Sequence, residues 1–390
     1  MSAARFTSDS PNYWGVPLVK LNRLGSAAAV LSIAALALTA CGSDNPTGAA
    51  SSAPAGGASA DAAVSGTLTG IGASSQKSAM EAWITGFKGQ NAQANVQYSP
   101  DGSGAGRKAF LAGGAQFAGS DAYLKPEEKE ESKKVCGPDG AFNVPAYVSP
   151  IAVAFNLEGV EELNLDATTI AKIFKKEITK WNDEAIAKQN PDAKLPDTAI
   201  TVVHRNDESG TTENFVEYLK ATAGDVWTYD VSGDWPKDIQ SENAKGTSGV
   251  VSTAGSTPGA ITYADFSAVG DLSTVNVKVG DEYTKISAEA AAKALETATP
   301  VEGAAKNDLA LDLKRDTTEA GTYPIVLLSY HIYCNTYKDQ ATVDLVKAFG
   351  KYVVSAEGQK TASDSAGNAP LSTSIEEKAA AAIDSITVAK

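Results

Sequence analysis

The run Arg205-Asn206-Asp207-Glu208-Ser209-Gly210-Thr211-Thr212 places a guanidinium, a carboxylate beside it, three hydroxyls and a glycine in one short stretch. A β-like segment, Ala199 to Val203, precedes it, and a helical pattern carried by Phe215, Val216 and Leu219 follows. The stretch therefore reads as strand, tight turn and helix start. N–H groups in the first turn of a helix lack intrahelical partners, and the helix dipole adds positive potential there. Gly210 lets backbone approach a guest closely, and Arg205 can offer two parallel N–H donors. The chemistry is oxyanion binding, although a capped helix beside a surface arginine would share the pattern. Two further stretches repeat it. Asp101-Gly102-Ser103-Gly104-Ala105-Gly106 opens a helical run through Phe110 and Leu111. Gly70-Ile71-Gly72-Ala73-Ser74-Ser75 opens another through Met80, Trp83, Ile84 and Phe87. One glycine-rich turn is a weak signal, but three of a kind weigh more. No G-x-x-x-x-G-K-[ST] run is present, which disfavours a nucleotide phosphate loop.

The elements that must position these turns alternate strand and helix. Thr67–Gly72, Ala94–Ser99 and Gln116–Asp121 read as strands, the last ending on a carboxylate, with helices from Ser74 and Arg107 between them. Such alternation predicts an α/β fold with a parallel sheet covered on both faces. Ligands bind such sheets outside the carboxyl ends of the strands, where Ser74, Ser103 and Asp121 fall. Val144–Leu157 is a long β-rich run suited to crossing between lobes, and Tyr323–Tyr333 is a second, suited to the return. Helices are expected at Thr168–Lys176, Trp181–Gln189, Lys245–Ser252, Ala288–Ala298 and Thr342–Val354. Ser374 to Glu377 fits a capping box for the last one.

The chain has 390 residues and a formal net charge of −14, which disfavours nucleic acid as a partner. It does not exclude a small anion, because pocket donors act at close range. Lys20 and Arg23 precede an apolar run from Ala27 to Ala40, the length of a signal-peptide core. The run ends Leu38-Thr39-Ala40-Cys41, small residues before a cysteine, as in the lipobox of bacterial lipoproteins. Residues 1–40 are thus expected to be removed and Cys41 to carry lipid. The remaining 30 basic and 46 acidic residues give −16. Residues 41–66 are the lipidated cysteine and, from Gly42 to Gly66, a linker of mostly Ala, Ser, Gly and Pro with little apolar bulk, a tether of roughly 25–30 Å reach. Cys136 and Cys334 remain after processing, and an oxidising compartment makes a disulfide between them the expected state. Two histidines, His204 and His331, with no ligand spacing, argue against a metal centre. Both read as structural.

Leu68–Ser75, Gly102–Asp121 and Arg205–Thr212 closely resemble the substrate-binding protein of the bacterial high-affinity phosphate ABC importer, the PstS family. So do Lys176–Lys188 and Pro258–Tyr263, and the matches run in order through the mature body. The resemblance implies a two-lobed periplasmic-binding-protein fold of type II, with the ligand cleft between lobes. It implies a first lobe of 66–147 plus 321–390 and a second of 148–320. It implies inorganic phosphate as ligand, and an ABC permease with its ATPase subunit as partners. No cofactor and no catalysis are implied. The expected state is a monomer, lipid-anchored to the outer face of the cytoplasmic membrane.

Residue by residue, the resemblance assigns phosphate binding to Ser74, Ser75, Ser103, Asp121, Arg205, Ser209, Gly210 and Thr211. Many members carry an aromatic where this chain has Ser75, so only its backbone role transfers. Asp207 would orient the Arg205 guanidinium. Arg107, where others often lack a charge, is expected to be a solvated helix residue. Asp121 is the informative position. A carboxylate repels an anion unless the anion brings a proton, and phosphate keeps one at neutral pH where sulfate keeps none. Asp121 would therefore select by a built-in repulsion. Arsenate, with a similar proton, would pass the same check. A phosphatase-like enzyme on this scaffold is the rival reading, and it would need an activated nucleophile or a metal cluster.

Overall fold

The computed structural model describes residues 63–390. The expected signal segment, Cys41 and the tether lie outside the described residues. Among those described, no helix is long and apolar enough to cross a membrane.

The first three strands and the two helices between them follow the sequence pattern, and a third helix, Pro126–Cys136, adds to it. They are β1 (Gly66–Gly72), α1 (Lys77–Gln90), β2 (Ala94–Ser99), α2 (Ser103–Leu111), β3 (Phe117–Ser120) and α3 (Pro126–Cys136). Strand β1 lies between β2 and β3, parallel to both. The chain then enters β4 (Ala141–Phe155), buried along its whole length. A second series of elements follows with β5 (Glu162–Leu165), α4 (Ala167–Phe174), α5 (Glu184–Ala187), β6 (Thr201–Arg205), α6 (Gly210–Thr222), β7 (Glu242–Ala244), α7 (Gly246–Ser256) and β8 (Ala260–Asp265). β9 (Ser273–Val279), β10 (Glu282–Thr284), α8 (Ala288–Glu296) and the short pair β11 (Thr299–Pro300) with β12 (Leu311–Asp312) complete it. The chain returns through β13 (Val326–Cys334) to β14 (Thr336–Tyr337), α9 (Gln340–Val354), α10 (Ala356–Ala366), α11 (Thr373–Asp384) and β15 (Thr387–Val388).

The main sheet runs β2-β1-β3-β13-β4-β8-β6-β7. It is mixed rather than all parallel. β13 runs antiparallel to both β3 and β4, and β4 antiparallel to β8. The reason is connectivity: β4 carries the chain from the β1–β3 side of the sheet to β8, and β13 brings it back alongside, pointing the opposite way. β4 pairs with β13 from Ala141 to Pro150 and with β8 from Ile151 to Phe155. Pro150, which has no N–H to donate, stands where the partner changes. The β13–β4 ladder slips between Ser329 and Tyr330, opposite another proline, Pro145. Such irregularities re-aim side chains.

Two local expectations need correction. Trp181–Gln189 forms only the single turn Glu184–Ala187. Trp181 is held instead by N–H bonds to Thr198 O at 3.0 Å and, from its indole, to Gly259 O at 3.0 Å. The last helix begins at Thr373 after Ser372, so Ser374 and Glu377 lie inside it and form no capping box. The Ser372-Thr373-Ser374 run offers several helix starts, and local pattern alone does not choose among them.

Apolar packing sets the framework for the cleft. Phe215 of α6 stacks on Tyr263 of β8 with ring centroids 4.6 Å apart and meets Phe174 of α4 at 4.8 Å. This fixes the helix whose first turn carries Gly210 and Thr211. The disulfide Cys136–Cys334 joins the end of α3 to the end of β13, with Cα atoms 4.8 Å apart.

Candidate functional site

The three turns singled out by residue type converge, and a fourth joins them. Arg205 ends β6, and its side chain is 2% exposed. Asp207 Oδ1 accepts from Arg205 Nε at 2.7 Å and Oδ2 from Nη2 at 2.5 Å. Two of the five guanidinium N–H groups are thus engaged, and the other three have no protein acceptor among the described residues. Asp207 Oδ1 also accepts from Gly246 N at 3.0 Å, tying α7 to the arginine. Burial pushes the Asp207 carboxyl up, but hydrogen bonds and charge from Arg205 outweigh it and hold its pKa below the ordinary range.

Next to the arginine lies the α2 turn. Gly102 has φ of +104°, and a Cβ there would fall 2.5 Å from Asp207 Oδ2. Only glycine fits, on both counts. Ser103 begins α2, and its Oγ accepts from Asp121 N at 3.1 Å. Gly210, at the start of α6, is so close that a Cβ would meet Ser103 Oγ and Asp121 Cβ at 2.7 Å each. Here the backbone of α6 directly approaches the start of α2 and the residue that follows β3. Ser209 caps α6 by accepting from Thr212 N at 3.1 Å, which leaves its own O–H proton to donate.

Asp121 follows β3 and is 3% exposed. Its Oδ1 accepts from Ser75 Oγ and Ser329 Oγ, each at 2.6 Å, and its Oδ2 from Thr211 Oγ1 at 2.9 Å. Three hydroxyl donors from three separate segments thus converge on one buried carboxylate. Ser74 closes the ring. Its Oγ accepts from Thr247 N at 3.1 Å and bonds Thr247 Oγ1 at 2.9 Å. The residues expected in one cleft, Ser74, Ser75, Ser103, Asp121, Arg205, Asp207, Ser209, Gly210 and Thr211, are therefore linked through a continuous set of contacts.

Several of these contacts join segments far apart in the chain, Ser74 to Thr247 and Asp121 to Thr211 among them. Asn214 of α6 makes another: its Nδ2 donates to Asp121 O at 2.7 Å and to Gly210 O at 2.9 Å. Its Oδ1 accepts from Arg315, which also donates to Glu217 Oε2 at 2.9 Å and to Val326 O. Arg107 departs from expectation. It is not solvated but 1% exposed. It donates to Glu128 at 2.9 Å, to Ser120 Oγ at 3.0 Å and, across the cleft, to Glu208 at 2.8 Å. Helical spacing explains this. Arg107 lies one turn beyond Ser103 on the face of α2 that meets the second lobe.

A family model described as the PBP superfamily domain matches residues 57–357. The phosphate-binding protein PstS 3 of Mycobacterium tuberculosis strain H37Rv is 36% identical over 375 residues, covering 94% of this chain and the full length of the relative. PstS 2 of the same strain is 35% identical over 379 residues, covering 95% of this chain and all of the relative. The chain belongs to the PstS family. Solved structures agree on the fold. A phosphate-binding protein from Stenotrophomonas maltophilia superposes with TM-score 0.62 at 21% identity, covering 81% of this chain and 93% of that one. A high-affinity periplasmic phosphate-binding protein, PfluDING, solved with phosphate at pH 8.5, gives 0.65 at 21% identity over the same shares.

Within this PstS-family chain, sequence reading missed Thr247, Ser329, Asn214 and the hydroxyl role of Ser75. Thr247 had a signal, since Lys245-Gly246-Thr247-Ser248-Gly249 repeats the glycine–hydroxyl helix start a fourth time. Ser329 had none, since no glycine or turn beside it marks a helix start. His204 is structural as expected: its ring stacks on Trp235 at 5.0 Å and its Nδ1 meets Arg205 O at 2.7 Å.

Proposed function

We propose that this protein binds inorganic phosphate outside the cytoplasmic membrane and delivers it to an ABC-type import permease. The observation that carries the reading is Asp121: a buried carboxylate, three times hydrogen-bonded, in the same cleft as the Arg205 guanidinium and the α6 N-terminus. An anion there meets fixed positive charge on one side and an acceptor on the other. Only a guest with both a negative charge and a proton satisfies both. Ser74, Ser75, Ser103, Arg205, Ser209, Gly210 and Thr211 supply donors from side chain or backbone, and Asp207 holds the arginine fork. Thr247 extends the list through its contact with Ser74.

The two lobes are 66–147 plus 321–390 and 148–320, a division supported by the change of partner along β4. Phosphate bridges them, and binding shifts an open–closed equilibrium toward the closed form by its differential affinity. A Cys41 lipid anchor and the tether that follows keep the monomeric body near the permease and its ATPase subunit. The family is one of substrate-binding transport proteins, so a chromogenic phosphomonoester should show no turnover. Calorimetric titration with phosphate, sulfate and arsenate tests the reading. Phosphate and arsenate should bind and sulfate should not, and equal binding of sulfate would reject it.

A further inference from the structure

One of the three donors on Asp121 is itself held by a chain of buried groups. Ser329 Oγ, which donates to Asp121 Oδ1, also accepts from Gln76 Nε2 at 2.6 Å. Gln76 Oε1 lies 3.1 Å from His331 Nε2, and His331 Nδ1 lies 3.0 Å from the Tyr333 hydroxyl. Gln76, Ser329, His331 and Tyr333 are each at most 1% exposed. The direction of the chain is set by groups that act only one way. Gln76 Nε2 is also 3.3 Å from the carbonyl of Tyr330, which can only accept. The amide nitrogen must therefore lie on the Ser329 side, and the amide oxygen faces His331. His331 Nε2 then carries the ring proton, and Nδ1 accepts from the Tyr333 O–H. The imidazole is enclosed by Trp83, Phe117 and Phe349, at centroid distances of 5.7, 5.1 and 6.3 Å. Burial pushes its pKa down to about 3, so the ring holds a single proton, as this order requires. With a lone pair of Ser329 taken by Gln76, the hydroxyl proton is directed to Asp121.

We propose that Gln76 and His331 are positioning residues for anion selection: acting through Ser329, they hold a donor on Asp121 and fix the direction in which that carboxylate meets the guest. The proposal rests on the phosphate-binding reading above. Ser75 and Ser329 together fix Oδ1 of Asp121. Without the Ser329 donor the carboxylate loses one of these two anchors, and Oδ2 is no longer held in the direction from which it accepts the guest's proton, the contact that separates phosphate from sulfate. The chain thus reaches from the aromatic core of the first lobe to the group that reads the ligand's proton.

The test uses the full-length protein, its Ser329→Ala variant and its Gln76→Glu variant. Each is titrated with phosphate at neutral pH and then with sulfate in competition, and thermal unfolding is recorded alongside. Ser329→Ala deletes the donor. Gln76→Glu keeps the shape but sets an acceptor oxygen against Ser329, turning its proton away from Asp121. Both should weaken phosphate about ten-fold and lower the phosphate-to-sulfate affinity ratio by about ten-fold. Should Gln76→Glu fail to fold, Ser329→Ala decides alone. A purely structural chain would lower the unfolding temperature and weaken both anions in parallel, and a ratio unchanged from wild type overturns the proposal. Wild-type protein that bound neither anion would overturn the phosphate reading and this proposal with it.

Discussion

Replacing Glu208 by glutamine removes a charge that joins the lobes just outside the anion cluster. Glu208 Oε1 accepts from Arg107 Nη2 at 2.8 Å and Oε2 from Lys108 Nζ at 2.5 Å. Breaking a buried pair costs about 3–5 kcal/mol when it strands a charge. Here Arg107 keeps Glu128 at 2.9 Å and Ser120 at 3.0 Å, so no charge is stranded. Lys108 is 74% exposed, and solvent screens its share. Glutamine can still accept from Arg107. What is lost is the charge assistance of one cross-lobe bond, about 1–1.5 kcal/mol, and only in the closed form. Phosphate should therefore bind roughly five- to ten-fold more weakly, chiefly through faster release. The phosphate-to-sulfate ratio should not move, because Glu208 touches neither Asp121 nor Arg205. Wild-type affinity should fall between about 50 and 500 mM salt, and the variant's dependence should be flatter. The pH behaviour carries a sign. Burial raises the Glu208 carboxyl, but Lys108 and Arg107 outweigh it, so its pKa is lowered in the closed form. The contribution is thus full above the ordinary Glu value of about 4.3 and is lost as pH falls through the lowered one. Calorimetry at two salt concentrations, with stopped-flow release, measures all of this. Unchanged affinity with an unchanged salt slope would refute the reasoning.

Arg205→Lys replaces the fork held by Asp207 with a point charge, and phosphate affinity should fall by about 30- to 150-fold in titration. Asn214→Leu removes the donors to Asp121 O and Gly210 O, one on each lobe; scattering with phosphate should show incomplete compaction and an affinity at least about ten-fold weaker. Cys136→Ser with Cys334→Ser opens a link across 198 residues and should cost about 3–5 kcal/mol, read as a lower unfolding temperature with phosphate selectivity intact.

Those features visible in the sequence were the local ones. Ser74, Ser103 and the Arg205–Thr211 run sit at strand–turn–helix junctions, where glycine and hydroxyl residues are needed at fixed offsets. Asp121 showed itself as a carboxylate closing a β-like run. The antiparallel course of β4 and β13 was not legible, because strand direction follows from pairing between segments nearly 200 residues apart. Arg107 misled for a related reason. Its helix could be seen, but the burial of its face depends on Glu208, 101 positions away. Ser329, Gln76 and Asn214 gave no sign, since an isolated polar residue in a buried strand, before a helix or within one carries no pattern. The helix starts that form the cleft depend on neighbours in sequence, whereas the groups that steady it depend on neighbours in space.

The most direct measurement titrates wild-type protein and Asp121→Asn with phosphate and with sulfate at neutral pH. Wild type should bind phosphate and exclude sulfate. In the variant the buried acceptor charge is gone, so phosphate should weaken by about 1.5–3 kcal/mol while sulfate binding becomes measurable. Selectivity identical in the two proteins would contradict the account.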